Sequence, residues 1–235
     1  LCSQLNQKKA ELEAQNKKYD ELKAASGNTV AMLSSDLEKK QKELQNKENE
    51  LKDREKNVQN LSSRLKDLES IIRKQDSVMS RLTSTVKDAL LGFNPDELTV
   101  TMHDGKVYVS MSDKLLFKSG KADVESKGKT ALEKLANVLN KNPDVSIAIE
   151  GHTDNVPIKT NEYADNWDLS TARATNVVRL LTTNYKMDPH RLTASGRGEF
   201  FPIGDNATTE GKAKNRRTEI VLSPKLDELM KVISK

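Results

Sequence analysis

Hydrophobic residues recur every seven positions along the first ninety residues of the chain. With Leu37 taken as heptad position a, eight consecutive a positions are apolar, and the same register places apolar residues at many d positions from Leu5 onward. The segment holds no proline and one glycine, Gly27. A sustained seven-residue repeat is typical of coiled coils. We therefore predict that residues 1–91 form a coiled-coil stalk, about 130 Å long at 1.5 Å per residue.

The seam of this heptad pattern is uneven. Lys40, Lys47 and Arg54 fall at d, where polar side chains weaken pairing, so the tightest pairing is expected over residues 58–89. A helix break is expected at residues 25–29. We expect parallel self-association into a dimer or trimer, because a lone amphipathic helix leaves its apolar stripe exposed. A lone solvated helix and an antiparallel hairpin that folds at the break are the alternatives.

The pattern changes near residue 92, where strand-like alternation begins. Asp104 and Gly105 supply a two-residue hairpin turn between the first two alternating runs. Strands are expected at residues 98–102, 107–111, 145–150, 191–194 and 220–222, and helices around residues 132–139 and 167–184. This order predicts an α+β domain at residues 92–223, with its helices packed on one face of a mixed β-sheet. Residues 224–235 are expected to form a short C-terminal helix.

Composition supports this division of the chain and excludes some functions. The chain has 235 residues, of which 35% are hydrophobic and 4% aromatic, too few for one compact core of that length. The formal net charge is +4 with 31% charged residues, so binding to nucleic acid is not expected. The longest apolar runs fall short of the 18 residues that span a bilayer. Any membrane association is expected through a segment or anchor outside this chain.

Residues 151–174, GHTDNVPIKTNEYADNWDLSTARA, hold the candidate site. Asp154 follows a predicted strand, and Arg173 lies about two turns into the next helix. A carboxylate, a guanidinium and the amides of a helix N-terminus suit a zwitterionic ligand: Asp154 would take its ammonium, and Arg173 with backbone amides its carboxylate. The alternative is that Asp154 and Arg173 pair with each other and only hold the loop in place.

The run Asn215-Arg216-Arg217 offers further donors at the rim of this pocket. At the start of a strand, alternation exposes one arginine and turns the other inward. The inward arginine would need a carboxylate partner, for which Asp154 and Glu150 are the candidates.

Catalytic and metal sites are not expected. Ser170, His152 and Asp154 carry the atoms of a hydrolytic triad, but Ser170 lacks a Gly-x-Ser-x-Gly elbow and no oxyanion hole is evident. The three histidines lack metal-ligand spacing, and His152 is expected to be a structural hydrogen bonder. Trp167 is expected to plug the core rather than stack on a sugar. We therefore predict a binding protein, not an enzyme, without cofactor or metal.

Five segments carry a family resemblance. LLFKSGKADV, GHTDNVPI, NWDLSTARATNVV, ASGRGEFFPI and KAKNRRTEIVL occur in that order. Together they resemble the C-terminal peptidoglycan-binding domain of the OmpA-like family, which includes the Pal lipoproteins and the flagellar stator subunit MotB. The resemblance covers about residues 98–222. It implies that a pocket binds the diaminopimelate residue of the peptidoglycan stem peptide without covalent chemistry.

The resemblance also assigns roles to residues. Asp154, the acid of the GHTD motif, would bind the ligand ammonium, and Arg173, the arginine of the LSxxRA motif, would bind the ligand carboxylate. The first arginine of the NRR segment is Arg216 and would lie beside the pocket. The whole expected peptidoglycan-binding set is Thr153, Asp154, Asn155, Leu169, Arg173, Asn215 and Arg216.

The predicted role is a tether in the periplasm or at the outer membrane of a diderm bacterium, in which a self-associating stalk presents peptidoglycan-binding domains. The alternative is a stator-like motor subunit of the MotB type, which would need an upstream transmembrane helix with a proton-carrying aspartate. Lipoproteins of this family begin at a lipidated cysteine, and Cys2 raises that possibility here. Against lipidation, Leu1 is not the small residue that a lipobox prefers, and Cys2 fits heptad position a.

Overall fold

The structure, a computed structural model, describes residues 2–225 and 227–233. Its first element is a single α-helix, α1, at Cys2–Ala89. The chain divides into two compact units, residues 1–65 and residues 66–235. Outside the described residues lie residue 1 of the predicted stalk and residues 226, 234 and 235 of the predicted terminal helix. The side chain of Cys2, for which heptad position a and lipidation were considered, also lies outside them.

The first unit consists of the helix alone, and the predicted break at residues 25–29 is wrong. Helix α1 runs through this segment without interruption, and the Thr29 hydroxyl donates to the Ala25 carbonyl oxygen at 2.9 Å. A single glycine in a helix costs only about 1 kcal/mol, which the surrounding helix formers tolerate. Every described side chain from Leu5 to Ser63 is exposed. Among the described residues, the apolar positions of the heptad stripe in this unit are therefore uncovered in the single chain.

The second unit includes the end of the long helix. Met79, Leu82 and Val86, which occupy a and d positions, are only 1%, 3% and 0% exposed and belong to the core of the unit. The expectation that residues 58–89 pair most tightly with another helix is therefore wrong for the last turns, because the domain itself buries their apolar stripe. For the same reason, the structural boundary lies after residue 65 rather than after residue 91.

The remaining elements follow the predicted order. The strands are β1 (Leu98–His103), β2 (Lys106–Ser112), β3 (Val145–His152), β4 (Leu192–Gly196) and β5 (Arg217–Pro224). The helices after α1 are α2 (Asp113–Leu116), α3 (Ser126–Asn140), α4 (Asn166–Thr183), α5 (Thr209–Asn215) and α6 (Asp227–Ile233), with a 3₁₀ turn at Pro189–Arg191.

One mixed sheet organises the domain, in the order β1-β2-β5-β3-β4. Strands β3 and β4 are parallel, and every other neighbouring pair is antiparallel. Alternate residues of the central strands face the helices and form the core, including Val109, Ile149 and Ile220, each fully buried. This confirms the predicted α+β architecture of a long N-terminal helix followed by helices on a mixed sheet.

Strand β3 and helix α4, which carry the candidate site, touch backbone to backbone. A Cβ added to Gly151 would lie 2.1 Å from the Ser170 carbonyl oxygen, so only glycine fits at this strand end. At the start of α4, Trp167 is 47% exposed and stacks on Phe200 with ring centroids 5.3 Å apart. The expectation that Trp167 plugs the core is wrong, because the apolar stripe of α4 lies on other positions.

Among the described residues, the helices contain no stretch long and apolar enough to cross a membrane.

Candidate functional site

Asp154 lies two residues beyond the end of β3 and is 6% exposed. Its Oδ2 accepts a hydrogen bond from Arg216 Nη1 at 2.5 Å, and its Oδ1 accepts from the Val156 N–H at 3.1 Å. The side chain of Arg216 is 32% exposed. The carboxylate is therefore held by a guanidinium that is itself partly open to solvent.

Arg173 lies on α4 and is 3% exposed. Its Nη2 pairs with Asp113 Oδ1 at 2.9 Å, its Nε donates to the Lys121 carbonyl oxygen at 3.0 Å, and its guanidinium lies 5.0 Å from the centre of the Phe117 ring. Burial raises the pKa of Asp113, an effect that the charge of Arg173 opposes. Burial likewise lowers the pKa of Arg173. The pair is thus strongly dehydrated, and each charge depends on the other.

The two pairs belong to one cluster of alternating charges. The Asp113 N–H donates to the Arg216 carbonyl oxygen at 3.0 Å, and the pKa of Asp113 also responds to the charges of Arg216 and Asp154. Asp154 and Arg173 thus lie in one cluster but pair with other residues, so the alternative in which they hold the loop by pairing with each other is wrong. Sequence reasoning missed Asp113, because no local motif links it to the arginine it neutralises.

A cavity of about 610 Å³ opens beside this cluster. Asp113 and Arg216 line it together with residues of β1, β2 and α5 and of the segment before β1. The cavity therefore extends from the ion pairs along the edge of the sheet.

Other members of the expected set have different surroundings. Thr153 is buried; its N–H donates to the Gly198 carbonyl oxygen at 2.9 Å and its hydroxyl to the Asp154 carbonyl oxygen at 2.9 Å. Asn155 is exposed next to Asp154, and Leu169 is buried at 5% exposure. Thr153 therefore fixes the backbone beside the acid and Leu169 lies in the interior, whereas Asn155 is open to a ligand.

Asn215 is fully buried rather than at the rim. Its Oδ1 accepts from the N–H groups of Ile203 and Gly204 at 2.7 and 2.8 Å, and its Nδ2 donates to Gly204 O and Asn206 Oδ1 at 2.9 and 2.7 Å. These four contacts use the full hydrogen-bonding capacity of an amide. Asn215 therefore fixes the loop that precedes α5.

The two arginines that follow alternate as predicted. Arg217 turns inward at 6% exposure, and Arg216 turns outward. Of the two candidate partners of the inward arginine, neither Asp154 nor Glu150 is used; Arg217 Nε instead donates to Glu219 Oε1 at 2.7 Å.

Among the described residues, the amides of Trp167, Asp168 and Leu169 at the N-terminus of α4 are already bonded to Asp165, contrary to the expectation that this helix end offers unpaired amides to a ligand. Asp165 caps the helix, and its Oδ1 accepts from the N–H groups of Trp167 and Asp168 at 2.8 and 3.0 Å. The carboxylate of a zwitterionic ligand would therefore rely on Arg173 rather than on this helix end.

Ser170 and His152 have surroundings that the sequence did not reveal. The Ser170 hydroxyl donates to the Trp167 carbonyl oxygen at 3.0 Å and accepts from the Gly198 N–H at 3.1 Å, so both contacts are structural. His152 is buried at 3% exposure, yet among the described residues neither ring nitrogen has a hydrogen-bond partner. The expectation that His152 is a structural hydrogen bonder is wrong.

Comparison with known proteins gives consistent results. The OmpA family model matches residues 116–216. Motility protein B of Bacillus subtilis is 37% identical over 146 residues, which are 62% of this chain and 55% of that protein. The chain thus spans about half the length of this relative.

Solved structures resemble the same region. A MotB-like protein from Desulfovibrio vulgaris has a TM-score of 0.60 at 26% identity, over 67% of this chain and 99% of that one. The cell wall anchor of the type VI secretion system (T6SS) from Pseudomonas aeruginosa has a TM-score of 0.53 at 33% identity, over 63% of this chain and 97% of that one. Residues 116–216 therefore form an OmpA family domain, which follows the long N-terminal helix of this chain.

Proposed function

We propose that this protein binds peptidoglycan without catalysis and tethers the cell wall within the bacterial cell envelope. The observation that carries this proposal is the cluster in which buried Asp154 and Arg173 each pair with an opposite charge of the domain itself. A zwitterionic group presents the same two charges, an ammonium and a carboxylate. The diaminopimelate residue of the stem peptide is such a group, and the likeness to a cell wall anchor supports this choice.

In this mechanism the ligand exchanges with internal ion pairs. Its ammonium binds Asp154, and the partly exposed Arg216 moves aside or shares the carboxylate. Its carboxylate binds Arg173, whose guanidinium has five N–H donors, most of them free of the contacts to Asp113 and Lys121. The neighbouring cavity of about 610 Å³ gives the rest of the stem peptide room beside Arg216.

The test is co-sedimentation with sacculi that contain diaminopimelate. We expect Asp154→Asn to weaken binding at least about tenfold, because a hydrogen bond to a charged group contributes roughly 1.5–3 kcal/mol. The amide keeps the shape of the side chain, and the partly exposed Arg216 can be solvated when it loses its partner, so the thermal unfolding midpoint should fall only modestly.

The matched control is Asp104→Asn. Asp104 lies in the β1–β2 turn with φ of 52°, a conformation that asparagine also accepts, and this variant should pellet like the wild type. Equal pelleting of folded Asp154→Asn and wild type would contradict the proposal.

We further propose that the first unit self-associates through its heptad stripe. Leu37, Leu44, Leu51 and Val58 are 56–64% exposed in the single chain, and a parallel partner helix would bury them. Two or more wall-binding domains on one stalk would bind a polymeric wall by avidity.

Analytical ultracentrifugation tests the stalk. The wild type should sediment as a dimer or trimer, and Leu44→Asn combined with Leu51→Asn should give monomers. The control pair, Lys42→Asn with Lys56→Asn, changes positions on the opposite side of the heptad and should keep the oligomer. A monomeric wild type, or an oligomer in both pairs, would refute self-association through this stripe.

A motor subunit is the second candidate, favoured by the likeness to motility protein B of Bacillus subtilis. Such a subunit needs a transmembrane helix with a proton-carrying aspartate upstream of a wall-binding domain. The coding sequence ahead of Leu1 distinguishes the two functions, because only the motor subunit requires that helix.

A further inference from the structure

A second cluster of polar residues, distinct from the Asp154 and Arg173 pairs, lies on the sheet face opposite the core. Glu150 on β3 and Glu219 on β5 are directly opposite each other in the antiparallel register. His152 follows two residues after Glu150, so its side chain lies on the same face. The ligand atoms of Glu150, His152 and Glu219 all lie within 4.8 Å of one another.

His152 is the unusual member of this cluster. It is 3% exposed, and its Nε2 lies 3.9 Å from Glu219 Oε2 and 4.0 Å from Glu150 Oε2. These separations are too long for hydrogen bonds, and among the described residues both ring nitrogens lack a hydrogen-bond partner. A buried polar group without a partner has lost its hydration and gained no hydrogen bond in exchange, so such groups call for an explanation.

We propose that Glu150, His152 and Glu219 form a binding site for one divalent transition-metal ion of the Zn²⁺ class. Imidazole nitrogen and carboxylate oxygen are ordinary zinc ligands at about 2.0–2.2 Å, so the ion would lie between the three side chains after small rotations about their χ angles. Mixed nitrogen and oxygen ligands favour Zn²⁺ over Mg²⁺, which prefers oxygen ligands and retains its water.

The protonation state of the histidine suits a metal ligand. Burial, and then the charge of Arg217, lowers the pKa of His152 to about 4. The ring is therefore neutral at pH 7, and a neutral imidazole has the lone pair that metal binding requires.

Two arginines orient the carboxylates. Arg197 donates to Glu150 at 2.7 and 3.0 Å, and Arg217 donates to Glu219 Oε1 at 2.7 Å. Hydrogen bonding by Arg197 lowers the pKa of Glu150, which keeps it ionised. Because the guanidiniums also balance the negative charge, we expect a weaker affinity than that of a site whose carboxylates are uncompensated.

A bound ion would join β3 to β5 beside the peptidoglycan pocket. His152 lies two residues before Asp154, and Arg217 directly follows Arg216. The ion would therefore fix the strand ends that position both charged groups. The metal site itself does not depend on the proposed wall binding, since its ligands lie outside that pocket.

The experiment uses the full chain, stripped with a chelator and then titrated with Zn²⁺ alone by isothermal titration calorimetry at pH 7. We expect one ion bound per chain, a higher thermal unfolding midpoint when Zn²⁺ is in excess, and a change in the ring ¹⁵N resonances of His152 in the wild type. His152→Gln and, separately, Glu219→Gln should lose this binding, whereas Mg²⁺ should not compete.

The control is His190→Gln. His190 is exposed beside Asp188 and is the natural place for adventitious Zn²⁺, so this variant should keep the His152-dependent site. No effect of Zn²⁺ on the His152 resonances would overturn the proposal and assign the space between the three side chains to water. Binding that survives in Glu219→Gln and disappears in His190→Gln would overturn it as well. The wild-type resonance readout holds even if a His152 variant fails to fold.

Discussion

Removing residues 1–91 should cost the domain most of its stability, whereas removing residues 1–65 should cost it little. The longer deletion takes away Met79, Leu82, Val86 and Leu90, which are 0–4% exposed in the core of the second unit. Each buried apolar side chain of this size stabilises by about 1.5–3 kcal/mol, so their loss amounts to about 6 kcal/mol or more. That is comparable with the total stability of a small domain, about 5–15 kcal/mol.

Urea unfolding of the two shortened chains measures this difference. A chain that begins at residue 66 should unfold cooperatively with a midpoint close to that of the full protein. A chain that begins at residue 92 should show a much lower midpoint and, because its sheet loses cover, should bind a dye for exposed apolar surface. Similar midpoints for the two shortened chains would mean that the last turns of α1 do not belong to the core.

Arg173→Ala should both unfold the domain easily and abolish wall binding. The substitution leaves the carboxylate of Asp113 buried without its partner, and breaking a buried ion pair on one side costs about 3–5 kcal/mol. If Arg173 acted in ligand binding alone, its removal would leave folding intact. Because Arg173 also pairs with Asp113, the variant is expected to lose both stability and binding. Thermal unfolding and co-sedimentation with sacculi measure the two losses.

The double variant Asp113→Ala/Arg173→Ala separates them. Removing both charges should restore much of the lost stability, because no buried charge remains unpaired. It should not restore binding, since the group proposed to take the ligand carboxylate is gone. A double variant that is stable and still pellets with sacculi would show that Arg173 acts only in folding.

Local patterns were enough to place most secondary structure and two of the charged groups. The alternation on either side of Asp104 and Gly105 predicts the first hairpin, and the stripes around Leu132 and Leu181 predict the two main helices. A strand is recognised by apolar residues that repeat every two positions, and a helix by apolar residues that repeat every three to four. Both repeats can be read from residues that are close in the sequence. Asp154 and Arg173 could be picked out because short motifs carry them.

The sequence did not show which charges pair. Asp113 lies far along the chain from Arg173, and Arg216 from Asp154, and only the tertiary packing of helices and strands brings each pair together. The same holds for the approach of the His152 ring to Glu219, which lies on a neighbouring strand. Spacing along the chain carries no information about such contacts.

The sequence by itself therefore determined the long helix, the α+β order and the motifs of the pocket, because these depend on local periodicity and on short runs of residues. The tertiary structure decided that the last turns of α1 belong to the domain core and that Asp154 and Arg173 each have a partner other than one another. A periodic hydrophobic pattern shows that one face of a helix or strand must be buried. Which residues bury it depends on packing between elements that are distant in the sequence.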